Sequence, residues 1–317
     1  MYILIILAAM LLSVCFVTNK LYERRAGSSL AAGLTFNALL GALCAVVFFF
    51  IGGLKFEITL YSALLAVLLT VLVMSYTLIG FRILKDGTVA IYSIFLMTGG
   101  MCVPFVFGIL FLHEELKITG ILGLLVLIFA VAVSGGKSER GSVNIKKILM
   151  CVAVFFLNGC VSVVSKIHQI ETERATVGAE QFVILSALSK LVIALLVLGI
   201  ITLIAKTKNG ENNYVNETLK TDGEQVTDMS KRGFSLKAYL IAVMPIIVLA
   251  AVCDGVSYFL QLKSAEDIPA TVLYPLLTGV SMIFSAAADF VVFKIKPSRA
   301  VIISVALSLA GTVLMFL

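Results

Sequence analysis

Apolar residues gather along the chain into ten long runs separated by short polar stretches. The pattern predicts helices at 1–18, 30–52, 57–82, 88–112, 118–136, 147–166, 179–205, 238–262, 268–293 and 298–317. Each run comes close to the roughly 20 residues that a helix needs to cross a hydrocarbon layer. The breaks, among them NKLYERRAGSS, HEELK, HQIETERAT and KSAEDIP, hold most of the charges and several of the glycines and prolines. One connection is long: Lys206 to Arg232 is polar and nearly free of large apolar residues, which predicts a loop without a core. It contains the glycosylation-type triplet Asn216-Glu217-Thr218, a pattern common by chance.

Composition agrees with an all-α membrane protein. Hydrophobic residues make up 61% of the 317 and charged residues 13%, against about half and a quarter in soluble domains. The net charge of +6 does not point to nucleic acid, because Lys and Arg lie between apolar runs instead of forming a stripe on one face. Numbered in order, the odd loops and their edges carry 18 of the 24 basic residues and the even loops 5, and Lys190, deep inside a run, completes the count. The positive-inside rule then predicts a multi-pass protein of the cell (plasma) membrane, with odd loops cytoplasmic and both termini outside. The first run has no basic stretch before it, which predicts a retained span instead of a cleaved signal. The six cysteines all fall in apolar runs without CxxC spacing, so neither a disulfide framework nor a metal site is indicated.

The chain also echoes itself. At an offset of 180, the fourth run aligns with the ninth: Ala90 meets Ala270, Leu96 meets Leu276, and Thr98-Gly99 meets Thr278-Gly279. A weaker echo sets TNKL (18–21) against VSKI (164–167), with Lys20 on Lys166. Five helices per half would start the second half from the opposite side, the inverted-repeat logic of many secondary transporters.

These residues resemble the drug/metabolite transporter superfamily, in particular its ten-helix members with two EamA domains. The most specific piece is the fourth span: the entry Gly87-Thr88-Val89-Ala90, then Pro104, the exit Phe111-Leu112-His113-Glu114-Glu115-Leu116, and Gly120 and Gly123 opening span five. Tyr274-Pro275-Leu276 with Thr278-Gly279, followed by Gly311, looks like the second copy, and Lys190 sits where the family often has a basic residue. The chain differs in carrying Lys294-Ile295-Lys296-Pro297 after span nine, and Asn37 in span two where a basic residue is usual. The resemblance implies two inverted five-helix repeats, residues 1–136 and 147–317, joined by a linker at 137–146, with the polar loop 206–236 inside the second.

Candidate site residues follow from the cost of burying charge, about 2.5–3.5 kcal/mol at mid-helix on insertion scales. Lys190 and Asp254 are both reached about ten residues in from the even-loop face, so at 1.5 Å per residue they lie roughly 15 Å deep and can meet. Such a pair either fixes two helices together or lines a central cavity and offers a charged substrate or a proton a place to bind, and both readings stand at this stage. At similar depth lie Asn158, Tyr274 and Thr278 in the second half and Asn37, Tyr76, Tyr92 and Thr98 in the first. Ser281 and Ser285 continue the Tyr274–Thr278 face but suit close helix packing better. Asp289 is expected to pair near Lys294, Lys296 and Arg299, and Glu114 and Glu115 to act as solvated caps at the membrane edge.

The expected function is a secondary transporter, an exporter or exchanger of a small polar metabolite. A lipid-linked sugar flippase and a non-transporting sensor are the alternatives on the same scaffold. An enzyme is not expected: both histidines fall between the runs, and no HExxH, GxSxG or P-loop occurs. The expected partners are a small solute and the bilayer, with a coupling proton left open and no cofactor.

Overall fold

The structure, a computed structural model, describes residues 2–26, 30–84, 89–115, 117–134, 145–208, 236–294 and 298–316. The side chains of residues 81–84, 89–93, 134, 147, 205–208, 236–242, 289 and 316 are outside that description. The polar loop with its triplet at Asn216 therefore lies outside the described residues, as does the proposed pairing of Asp289.

The helices are α1 (Tyr2–Ala26), α2 (Leu30–Ile51), α3 (Leu60–Leu84), α4 (Val89–Phe111), α5 (Ile118–Ser134), α6 (Ile145–Ile170), α7 (Ala179–Lys208), α8 (Leu236–Asp267), α9 (Ala270–Phe293) and α10 (Arg299–Phe316). No strand occurs among the described residues. Eight helices are long and apolar enough to cross a membrane, while α5 and α10 contribute shorter apolar segments, Ile118–Val133 and Arg299–Met315. The chain is thus an all-helical, multi-pass membrane protein. Large side chains such as Phe50, Leu64, Phe111, Leu195 and Val291 stay exposed, as a lipid-covered surface requires.

Several helices outrun their apolar patterns. α1 continues past residue 18 to Ala26, α6 past 166 to Ile170, and α8 past 262 to Asp267. In each extension some side chains pack inward, among them Tyr22, His168 and Ala265, while Arg24, Gln169 and Glu266 stay partly or fully exposed. An amphipathic helix end of this kind looks like a loop to a hydropathy reading. His168 therefore belongs to the last turn of α6 and is buried, a correction to its expected place between the runs.

Packing runs mainly between early and late helices: α2 against α7, α5 against α10, α4 against α9, α1 against α8 and α9, and α6 against α3 and α4. Glycines set the closest seams. A Cβ on Gly41 of α2 would stand 2.6 Å from the Ala187 carbonyl oxygen of α7, and one on Gly123 of α5 would stand 2.9 Å from the Gly311 oxygen of α10. A Cβ on Gly99 of α4 would collide with the Phe155 backbone of α6. Small residues at such crossings let backbones approach where the hydrophobic effect does not drive helices together.

We expect Gly99→Ala to destabilise the protein by about 1–3 kcal/mol, because two backbones must separate to admit the methyl group. Gly199→Ala, at a helical site with nothing within 4 Å, should be neutral or stabilising. Thermal midpoints of the two variants in one detergent check the contrast, and equal shifts would refute the packing account.

Candidate functional site

Hydrogen bonds tell the two ends of the bundle apart. At the end carrying the even loops, the start of α3 meets the end of α6, and the end of α4 meets the start of α9. His168 Nε2 lies 2.9 Å from Ser62 Oγ, its ring stacks on Phe182 at 3.6 Å, and the Val177 amide donates to Ser62 Oγ at 3.1 Å. Glu114 accepts from the Ala270 and Thr271 amides at 2.6 and 2.8 Å and from the Thr271 hydroxyl at 2.8 Å. From the connection between α4 and α5 it thereby caps the N-terminus of α9. Gly108 leaves room for that carboxylate, which a Cβ there would strike. The buried Lys166 ammonium donates to the carbonyls of Ala265 and Ile268 at 2.7 and 2.8 Å, closing the C-terminus of α8.

Just outside the spans at this end, Glu171 accepts from the amides of Glu173 and Arg174 at 2.9 and 3.3 Å. The Glu173 amide above all holds its pKa below the ordinary glutamate value, with the Tyr61 hydroxyl and Arg174 acting in the same direction. Arg174 in turn lies over the Tyr61 ring at 4.9 Å.

The odd-loop end is different. There the ends of α1 and α9 meet through Lys20 and Arg24, which stand over the Phe293 ring at 4.5 and 4.6 Å. Tyr22 of α1 donates to the Ala32 carbonyl at the start of α2, 3.0 Å away. Beside this corner a cavity of about 340 Å³ opens between α1, α2 and α3 and reaches α7 and α8. That volume lies at the lower end of small-molecule sites.

Helical spacing builds its walls. Leu12, Cys15, Phe16, Asn19, Tyr22 and Glu23 form one face of α1, Gly33, Phe36, Asn37 and Leu40 one face of α2, and Val73, Tyr76 and Thr77 one face of α3. Lys190 and Asp254 close the inner end, with Lys190 Nζ 3.1 Å from Asp254 Oδ2. Their side chains keep 21% and 33% of their surface exposed, so the pair faces the cavity instead of being sealed between helices. At the other extreme, Glu23 sits exposed near the end of α1. The Asn37 amide donates to the Gly33 carbonyl at 2.8 Å, which leaves its oxygen available, and the Tyr76 hydroxyl has no hydrogen-bond partner among the described residues.

Of the residues singled out in the sequence, Lys190, Asp254, Asn37 and Tyr76 come together around this cavity. Four others bond to backbone carbonyls instead. Asn158 donates to Leu96 at 2.8 Å while packing against Gly100, and Tyr274 donates to Ser162 at 2.6 Å. Thr278 donates to Tyr274 at 3.0 Å and Thr98 to Ile94 at 2.6 Å, both within their own helices. Tyr92 lies on α4, with its side chain outside the described residues. Sequence reading missed Asn19 and Glu23, which it assigned to a loop. The available signal was the spacing 12, 15, 16, 19, 22 and 23, which follows one helical face past the end of the apolar run.

No family model matches the chain, and no curated protein matches it. Among solved structures, one described only as "Crystal structure of protein" superimposes with a TM-score of 0.68 over 99% of this chain and 97% of its own, at 16% identity. Similarity at that identity speaks for a shared helical fold and for nothing about cargo.

Proposed function

We propose that the protein is a secondary transporter, an exporter or exchanger, that carries a small polar solute by alternating access. The observation that carries this reading is a cavity lined from Glu23 to the partly exposed Lys190–Asp254 pair, while the opposite end of the bundle is tied by Glu114, Lys166 and the Ser62–His168 contact. An intramembrane ion pair open to a wet cavity marks a solute or ion path.

Helix pairing supports ten spans in two inverted five-helix repeats, as in the drug/metabolite transporters. Adding or subtracting five from every helix number turns α1–α8 into α6–α3, α1–α9 into α6–α4, and α2–α8 into α7–α3, and leaves α2–α7, α4–α9 and α5–α10 unchanged. All of these contacts are present. With odd loops in the cytoplasm, the cavity opens toward the cytoplasm. Lys190 and Asp254 suit a solute bearing both acceptor and donor groups, such as a zwitterion or a polyhydroxylated molecule.

The test compares metabolites inside and outside cells expressing the wild type or Asp254→Asn. A solute should shift across the membrane with the wild type and move at least about tenfold more slowly with the variant, the effect of losing one charge-assisted hydrogen bond. Equal movement with both proteins would remove Asp254 from the site. No movement by a folded, inserted wild type would overturn the transport reading.

A further inference from the structure

The pairing between the two halves is not fully symmetric, and one of the exceptions lies at the cavity. α6 packs closely against α8, whereas the counterpart helices α1 and α3 make at most slight contact among the described residues and both line the cavity. On the closed side, Ser165 Oγ of α6 and Tyr258 OH of α8 are hydrogen-bonded at 3.0 Å, one turn beyond Asp254. The adjacent Lys166 adds its two bonds to the α8 carbonyls.

The sequence supplies counterparts for this contact. Thr18-Asn19-Lys20-Leu21 matches Val164-Ser165-Lys166-Ile167, which sets Asn19 against Ser165, and Ser75-Tyr76 matches Ser257-Tyr258. Asn19 and Tyr76 both line the cavity, on helices that run the opposite way, and neither side chain has a hydrogen-bond partner among the described residues. The same two positions in each half are therefore bonded on the closed side and parted on the open side.

We propose that Ser165–Tyr258 and Asn19–Tyr76 are counterpart gates of the cavity, each pair bonding when the other parts. The proposal rests on the transport reading above. An exchange of this kind suits the chemistry, because one hydroxyl bond is given up as another forms and the chain need not bury an unpaired polar group in either state. Lys166 biases the resting state toward closure at the even-loop end, since its ammonium holds two carbonyls there.

Two double-cysteine variants of the full chain in membranes test this, Ser165→Cys/Tyr258→Cys and Asn19→Cys/Tyr76→Cys. Each is treated with a short bis-thiol reagent, and the linked peptides are quantified by mass spectrometry, which distinguishes them from the native cysteines. The 165–258 link should form readily and the 19–76 link poorly. Adding Tyr258→Phe to the second pair should raise the 19–76 yield about fivefold, the population shift expected from losing one hydrogen bond, and Lys166→Gln, which gives up two, should raise it at least as much. Tyr258→Phe keeps the test decisive if Lys166→Gln fails to fold.

An unchanged 19–76 yield in a folded variant would overturn the proposal, as would both links forming together in one molecule of a four-cysteine chain. The links are read without cargo, so the outcomes separate. Solute movement without link exchange defeats the gates alone, whereas link exchange without solute movement defeats transport and leaves the gates standing.

Discussion

Replacing Asp254 with leucine should destabilise the protein by about 2–3 kcal/mol, below the roughly 3–5 kcal/mol typical of breaking a sealed ion pair. The discount follows from geometry, because the cavity lets water reach the Lys190 ammonium once its partner is gone. Lys190→Met should cost a similar amount for the same reason. The double variant Lys190→Met/Asp254→Leu should recover most of the loss, since it removes both desolvated charges and leaves two apolar side chains of fitting size.

Thermal midpoints of the four proteins in one detergent give the stability cycle, and uptake or efflux of the identified solute gives the second readout. A pair that only fastens α7 to α8 predicts that the double variant regains activity along with stability. A pair that handles solute predicts that stability returns while transport does not. Activity in the double variant would therefore remove the pair from the transport site.

That separation matters because the sequence could place these two residues but not assign their work. Lys190 and Asp254 were legible as deep charges, since an ionised group amid apolar residues on a long helix has no inconspicuous reading. Asn37 and Tyr76 were visible at the same level as Asn158 and Tyr274, and nothing in the sequence distinguished the two sets. What separates them is a backbone carbonyl on a neighbouring helix. Leu96 takes the Asn158 amide and Ser162 takes the Tyr274 hydroxyl, and such cross-helix partners have no local signature. The spans themselves were readable because hydropathy governs insertion, whereas their ends were not. Residues 19–26 present Tyr22 to the core and Arg24 and Arg25 outward, so the helix continues where the apolar average collapses.

Glu114 shows the same limit at a site of larger structural consequence. Its place at the exit of the fourth span suggested a solvated cap, yet its carboxylate reaches across to α9 and accepts three hydrogen bonds from Ala270 and Thr271. These are charge-assisted bonds to the first amides of a helix, where the backbone has donors without intrahelical acceptors and the macrodipole favours an anion. Glu114→Ala should therefore destabilise the protein by about 2–4 kcal/mol, combining lost charged hydrogen bonds with the cost of stranding amides at a partly buried helix start. Glu114→Gln, which keeps an acceptor oxygen but gives up the charge, should lose less.

Gly108→Ala supplies an independent route to the same damage, because its methyl group would occupy the space the carboxylate needs. If displacing the cap is how that variant fails, Gly108→Ala and Glu114→Ala should not add. The double variant would then be only slightly less stable than Glu114→Ala alone, with a coupling of about 1–2 kcal/mol. Full additivity would mean that Gly108 serves the packing of α4 and that the cap is held by something other than this close approach.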